Sequence, residues 1–280
     1  MAESKQPAAV EPVETSVVEF VETPRKKRRL GWIIALAIVV VVLVAGFFVA
    51  DAIVRQIATG YVRDRIVSVL ALDPATPIDV DLGSGSILLQ AAGGSLDELS
   101  VHADAITLGE ITGEVELTAT KVPLDAGTPL STLGVTVTVT EQNVRKLASF
   151  LSASELKSID LRDGMVRVGT EFDLIFFTLP VSVDLLPSAV QGGIAFDPQT
   201  ILLGDQEISV QDLRDSPEFS AFAGDLLASR DFCVAGYLPA ALTIADVDVI
   251  GSDLVVVING DGIALGDPAL AAVGTCPGEG

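Results

Sequence analysis

Leu30 to Ala50 reads LGWIIALAIVVVVLVAGFFVA, twenty-one residues without a charge, and no other stretch constrains the chain as tightly. As a helix it is about 32 Å long, which matches the roughly 30 Å hydrocarbon core of a bilayer. Arg25-Lys26-Lys27-Arg28-Arg29 stands directly before it and Asp51 directly after it. Retention of basic residues on the cytoplasmic side places the N-terminus inside and residues 51–280 outside. The competing reading is a cleaved secretory signal, for which Ala50-Asp51-Ala52 has the small-x-small form. Signal cores usually run about 7–15 residues, and this run is longer and has twenty-nine residues ahead of it, so an uncleaved anchor is the expectation.

Charge divides the chain at the same place. Residues 1–50 carry six basic and five acidic side chains, whereas the remainder carries eleven against thirty-three, a net of −22. So acidic a domain repels nucleic acid, which removes that class of partner. Residues 1–29 read as a disordered cytoplasmic tail ending in the basic run, 30–50 as the anchor, and 51–280 as one extracytoplasmic domain.

Helical periodicity continues past the anchor over residues 51–70. Val54, Ile57, Ala58, Tyr61, Val62, Ile66, Val69 and Leu70 fall on one side, with Arg55, Gln56, Thr59, Arg63 and Asp64 opposite. Leu72-Asp73-Pro74 closes it. Such a helix either packs on the domain as a stalk or lines a lipid groove.

From Pro77 the period is two. Ile78-Asp79-Val80-Asp81-Leu82, Glu114 to Thr118, Val135 to Thr140, Met165 to Val168, Val181 to Asp184, Ile208 to Val210 and Ile244 to Val249 alternate apolar with polar residues, and each reads as a strand with one dry and one wet face. Leu254 to Ile258, a continuous apolar run rich in valine, also reads as a strand. Asp163-Gly164, Gly192-Gly193 and Asn259-Gly260 supply turns. Helices are expected at Glu141–Leu151 and Pro217–Leu227. The fold class is therefore α+β, predominantly antiparallel β with a few helices, behind one transmembrane helix.

Catalytic chemistry is poorly represented. His102 is the only histidine, with no second histidine or nearby cysteine to share a metal. No nucleophile elbow or phosphate-cradling glycine loop occurs. Asp79/Asp81 and Asp246/Asp248 read as solvated strand faces, and Asn259-Gly260-Asp261-Gly262 as a turn rather than a calcium loop. The expectation is a non-enzymatic protein without a cofactor. Cys233 and Cys276, the only cysteines, lie on the exported side and read as a disulfide.

Two segments are apolar on both faces when read as strands. One is Phe172 to Leu179, with Phe172, Leu174 and Phe176 on one side; the other is Ser86 to Gln90, with Ile87 and Leu89. Such a strand is either sandwiched between layers or opens one face to an apolar ligand. On the second alternative, Ile87, Leu89, Phe172, Leu174 and Phe176 contact lipid.

From about residue 52 to 266 the order of features resembles the LmeA-like phospholipid-binding proteins, an envelope family of actinobacteria. The resemblance rests on the amphipathic helix, Ile78-Asp79-Val80, and Gly93-Gly94 leading into Leu96-Asp97-Glu98-Leu99-Ser100-Val101. It continues through Gly113-Glu114-Val115-Glu116-Leu117, Lys121-Val122-Pro123-Leu124 and the helix after Thr140. Leu238-Pro239-Ala240-Ala241-Leu242-Thr243-Ile244, Val247-Asp248-Val249 and Val255 to Gly260 complete it. It implies a non-catalytic phospholipid-binding module of the cell membrane, related in architecture to tubular lipid carriers. The alternative is an envelope interaction or scaffolding module without a lipid ligand.

Overall fold

The computed structural model describes residues 27–69, 72–108, 111–150, 157–173, 178–216 and 227–276. The tail over 1–24 and the expected helix over 217–227 lie outside these, apart from Leu227. The chain forms two compact units, Met1–Val49 and Ala50–Gly280. Helix α1 (Lys27–Val69) holds the anchor sequence, with a window of mean hydropathy 2.8 of which none is buried in protein. By length and composition it is long and apolar enough to cross a membrane.

Within the second unit, α1 packs through Val54, Ala58, Val62 and Ile66, all partly buried and spaced by four. Ile57 and Tyr61, expected on that face, are 66% and 72% exposed. The stripe is turned because Arg55 and Arg63, expected to face water, bind the domain. Arg55 donates to the carbonyls of Gly83 (2.6 Å) and Gly85 (2.5 Å), and Arg63 to those of Pro74 (2.9 Å) and Thr76 (3.2 Å). Loop carbonyls without a ladder partner are satisfied this way, and charged donors make the stronger bonds.

The strands build two antiparallel sheets. The first has the order β1 (Asp79–Asp81), β2 (Ser95–Leu108), β3 (Ile111–Pro123), β4 (Thr132–Thr140), β12 (Asp253–Asn259), β11 (Thr243–Ile250). The second runs β10 (Arg230–Cys233), β8 (Gly193–Leu203), β7 (Thr178–Val190), β6 (Met165–Asp173), β5 (Ser158–Arg162), with β9 (Gln206–Ser209) on β8. Both orders run from edge to edge. Helix α3 (Glu141–Phe150) follows β4 where the sequence places it. Asp163 and Gly164, with φ of 53° and 77°, make the two-residue turn between β5 and β6 that matches strand twist.

Two local readings are corrected. Ile87–Leu89 is not a strand but opens helix α2 (Ile87–Gly93). Ser86 caps it by accepting from the Leu89 amide, and Gly94 ends it in the left-handed conformation (φ 81°). A serine cap and a closing glycine outweigh the apolar run between them, which is too short to show a period. Val210 likewise leaves the strand: Ser209 ends β9 and caps helix α4 (Val210–Asp215).

Cys233 and Cys276 form a disulfide with Cα atoms 5.8 Å apart. The C-terminal segment it holds pairs back onto the domain, with Ala240 N–H donating to Ala272 and Gly274 N–H to Leu238. In the chain-entropy model a closed loop of this length contributes about 4 kcal/mol.

Candidate lipid-binding face

Register assigns one apolar face to the first sheet. Val80 pairs with Val101, Val101 with Leu117, Leu117 with Val135, Val135 with Ile258 and Ile258 with Ile244. One rung along, Ala103, Val115, Val137, Val256 and Val247 line up in the same way. The opposite face carries His102, Glu116, Thr136, Thr138, Asp246 and Asp248, with Val255 and Val257 of β12 between them. The alternation in the sequence thus becomes a continuous apolar surface across six strands.

That surface is covered at its two ends. At one, Ile66, Val67 and Leu72 pack on Ile78, Val101, Ala103 and Ile106. At the other, Val249 joins Ile159, Leu161 and Val166 of the second sheet, with Val144 of α3 and Leu254 against them. Between the ends, Val135, Val137 and Val256 are each only half-buried. The second sheet behaves alike: Ile159, Leu161 and Val166 are buried, while Val168, Val183 and Ile201, in register with Ile159, and Val181 on the same face are half-buried. Partly wet aliphatic rows continuous with a packed core suit an acyl chain, which needs area and no hydrogen bonds.

The residues singled out from the sequence are dispersed. Ile87 is buried at 3% exposure, on the inner side of α2, whereas Leu89 is 66% exposed on the outer side. Leu174 and Phe176 lie outside the described residues, as does the side chain of Phe172, whose backbone pairs with Leu179. Val135, Val137 and Val256 were legible as strand residues, but their partial exposure was not, because a strand pattern reports a dry face and not how completely it is covered.

A separate cleft of about 260 Å³ is lined by Arg63, Pro77, Ile78, Asp79, His102 and Asp104. His102 Nε2 lies 3.1 Å from Asp104 and its Nδ1 3.8 Å from Glu114. The imidazole is thus flanked by two carboxylates, with no hydroxyl or thiol nucleophile among the described residues lining the cleft, and Arg63 is committed to backbone carbonyls. Among the described residues this arrangement offers no acyl-transfer machinery.

Comparison with known proteins agrees with the apolar face. The family model described as LmeA-like phospholipid-binding matches residues 49–258. No curated protein and no solved structure matches. The match covers most of the chain and nearly all of the domain just described, and the chain belongs to the LmeA-like phospholipid-binding family, a non-catalytic lipid-binding family of the cell envelope.

Proposed function

We propose that this protein is a single-span envelope protein that holds the acyl portion of a phospholipid against the half-buried centre of its first sheet. The observation that carries the reading is that incompletely covered row, Val135, Val137 and Val256, in a chain of a phospholipid-binding family. Ile87, Phe172, Leu174 and Phe176 are further contacts of the held acyl chain in the same proposal, while Leu89, on the outer side of α2, meets lipid from outside. A tubular carrier arrangement of the two sheets belongs to the same reading.

The test uses residues 50–280, prepared without detergent and examined by native mass spectrometry beside a thermal melt. Wild type is expected to carry lipid. Val137→Asp places a carboxylate on the wall, and at least about a tenfold drop in bound lipid is expected with a nearly unchanged melt, because a charge on apolar area costs heavily only when water cannot reach it. A collapsed melt would show Val137 to be sealed core. A wild-type domain found empty in repeated preparations would favour the scaffolding alternative.

Topology is part of the proposal: residues 1–29 cytoplasmic, 30–50 in the membrane, 51–280 outside. The basic run directly before Leu30 supports it. Protease added to intact cells should remove an epitope placed after residue 70 and spare one placed before residue 25. Protection of the C-terminal epitope would reverse the assignment.

A further inference from the structure

Asp51 follows the last apolar residue of the anchor, and its carboxylate accepts from Ser86 Oγ (2.7 Å) and the Leu88 amide (2.9 Å). The start of α2 is therefore fixed to the first residue outside the span. Arg55, the next charge along, is turned onto the carbonyls of Gly83 and Gly85. Both charges at the exit point are thus consumed by the α2 loop. What faces outward there is apolar: Ile53 is 54% and Leu89 66% exposed. The far end of α2 is about 10 Å away at 1.5 Å per residue, where the Gly94 carbonyl accepts from the Leu124 amide (3.0 Å). Leu124 is 56% exposed, and the neighbouring loop, joined by Gly266 N–H donating to Ala126 (2.7 Å), presents Leu265 at 49%.

Charge points the same way. Residues 82–96 contain no ionisable side chain, although the domain around them carries thirty-three acidic groups. An acidic surface is repelled by anionic headgroups, so a segment held beside a bilayer gains from having no charge. We propose that α2 and the loops bearing Leu124 and Leu265 form a docking surface that rests in the headgroup layer of the membrane holding the anchor. Leu89 reaches the acyl boundary, as apolar side chains of interfacial helices do. This inference rests on the anchoring reading. It adds a partner surface, the lipid leaflet itself.

The experiment uses the full chain reconstituted in vesicles of phosphatidylcholine and phosphatidylglycerol, with and without phosphatidylcholine brominated near the top of its acyl chains. Trp32 is the only tryptophan, so the wild-type chain reports the span by itself. Leu89→Trp, Leu124→Trp and Leu186→Trp are each made in a Trp32→Phe background. Docking predicts that brominated lipid removes about half of the emission of Leu89→Trp and Leu124→Trp, as for an interfacial side chain, and leaves Leu186→Trp unchanged. Unquenched Leu89→Trp emission with quenched wild-type Trp32 overturns the docking surface and leaves the anchor standing. Unquenched Trp32 overturns the anchor, and the docking inference with it. Shielding of Leu89→Trp that depends on protein concentration and not on bromine would assign the surface to a second copy, against this proposal.

Discussion

Asp184→Ala is expected to destabilise the domain by about 3 kcal/mol, the lower end of the range for breaking a buried ion pair. Asp184 on β7 is 4% exposed, the single buried charged residue among those described. It sits directly across from Arg167 on β6. The pairing is bidentate: Nη2 donates to Oδ2 at 2.6 Å and Nε donates to Oδ1. The Asp184 carboxylate raises the Arg167 pKa, with Glu207 and Asp160 adding to it, so the guanidinium remains charged at any physiological pH. Alanine at 184 leaves that charge partly buried, with its side chain 19% exposed, and without its fork partner. The exposure is why the lower end of the range applies.

The pair also bears on register, because it lies on the opposite face of the second sheet from Val166, Val168 and Val183. A one-residue slip of β6 against β7 would move those valines to the wrong side. An ion pair at one rung excludes the slip. Urea melts of Asp184→Ala, Arg167→Leu and the Arg167→Leu/Asp184→Leu double variant test this. The double variant should recover most of the loss, since apolar residues of similar volume replace buried pairs at little cost. A single variant within about 0.5 kcal/mol of wild type, the usual scatter of surface changes, would show the pair to be solvated and without structural weight.

How far the chain could be read in advance depended on the length of each signal. β4 was legible because six alternating residues, Val135 to Thr140, leave one period and one orientation, and the structure places Val135, Val137 and Val256 on one side together. The disulfide was legible because the chain holds two cysteines and a membrane signal ahead of them. Ile87–Leu89 was misread because three apolar residues have no period, and the decisive groups flank them, Ser86 as cap and Gly94 as terminator. The cap on Ser86 from Asp51, thirty-five positions earlier, has no local trace at all. The face of α1 was half legible: hydrophobicity marked Val54, Ala58, Val62 and Ile66, but Arg55 and Arg63 chose the rotation by binding carbonyls of loops distant in sequence. The site was the least legible part. Strand pattern identifies a dry face, and only the packing of α1, α3 and the second sheet over it reveals which rung is left partly open.

Gly192-Gly193 shows the same distinction within two residues, and Gly193→Ala is expected to cost about 2–3 kcal/mol, near the upper end for an overpacked interior. Both glycines read as turn residues, but they are required for different reasons. Gly192 has a φ of 76°, and a Cβ there would touch only the Ala235 side chain at 3.4 Å. Its alanine variant should lose about 1–2 kcal/mol from the left-handed backbone alone. Gly193 already belongs to β8, paired with Val190 on one side and Cys233 on the other. A Cβ at 193 would lie 2.3 Å from the Phe232 carbonyl oxygen and 3.1 Å from the Cys233 Cα. Those are backbone atoms of β10, and no rotamer change relieves the overlap, so the strand itself must move. β10 carries the cysteine that fastens the C-terminal segment. Displacing it should therefore loosen more than one strand: amide protection over Arg230–Cys233 should fall, and the Cys233–Cys276 bond should reduce faster at a fixed thiol concentration. Hydrogen exchange and timed alkylation of both variants separate the two costs. If Gly193→Ala protects β10 as well as Gly192→Ala does, the close approach of β8 and β10 is not what requires glycine there.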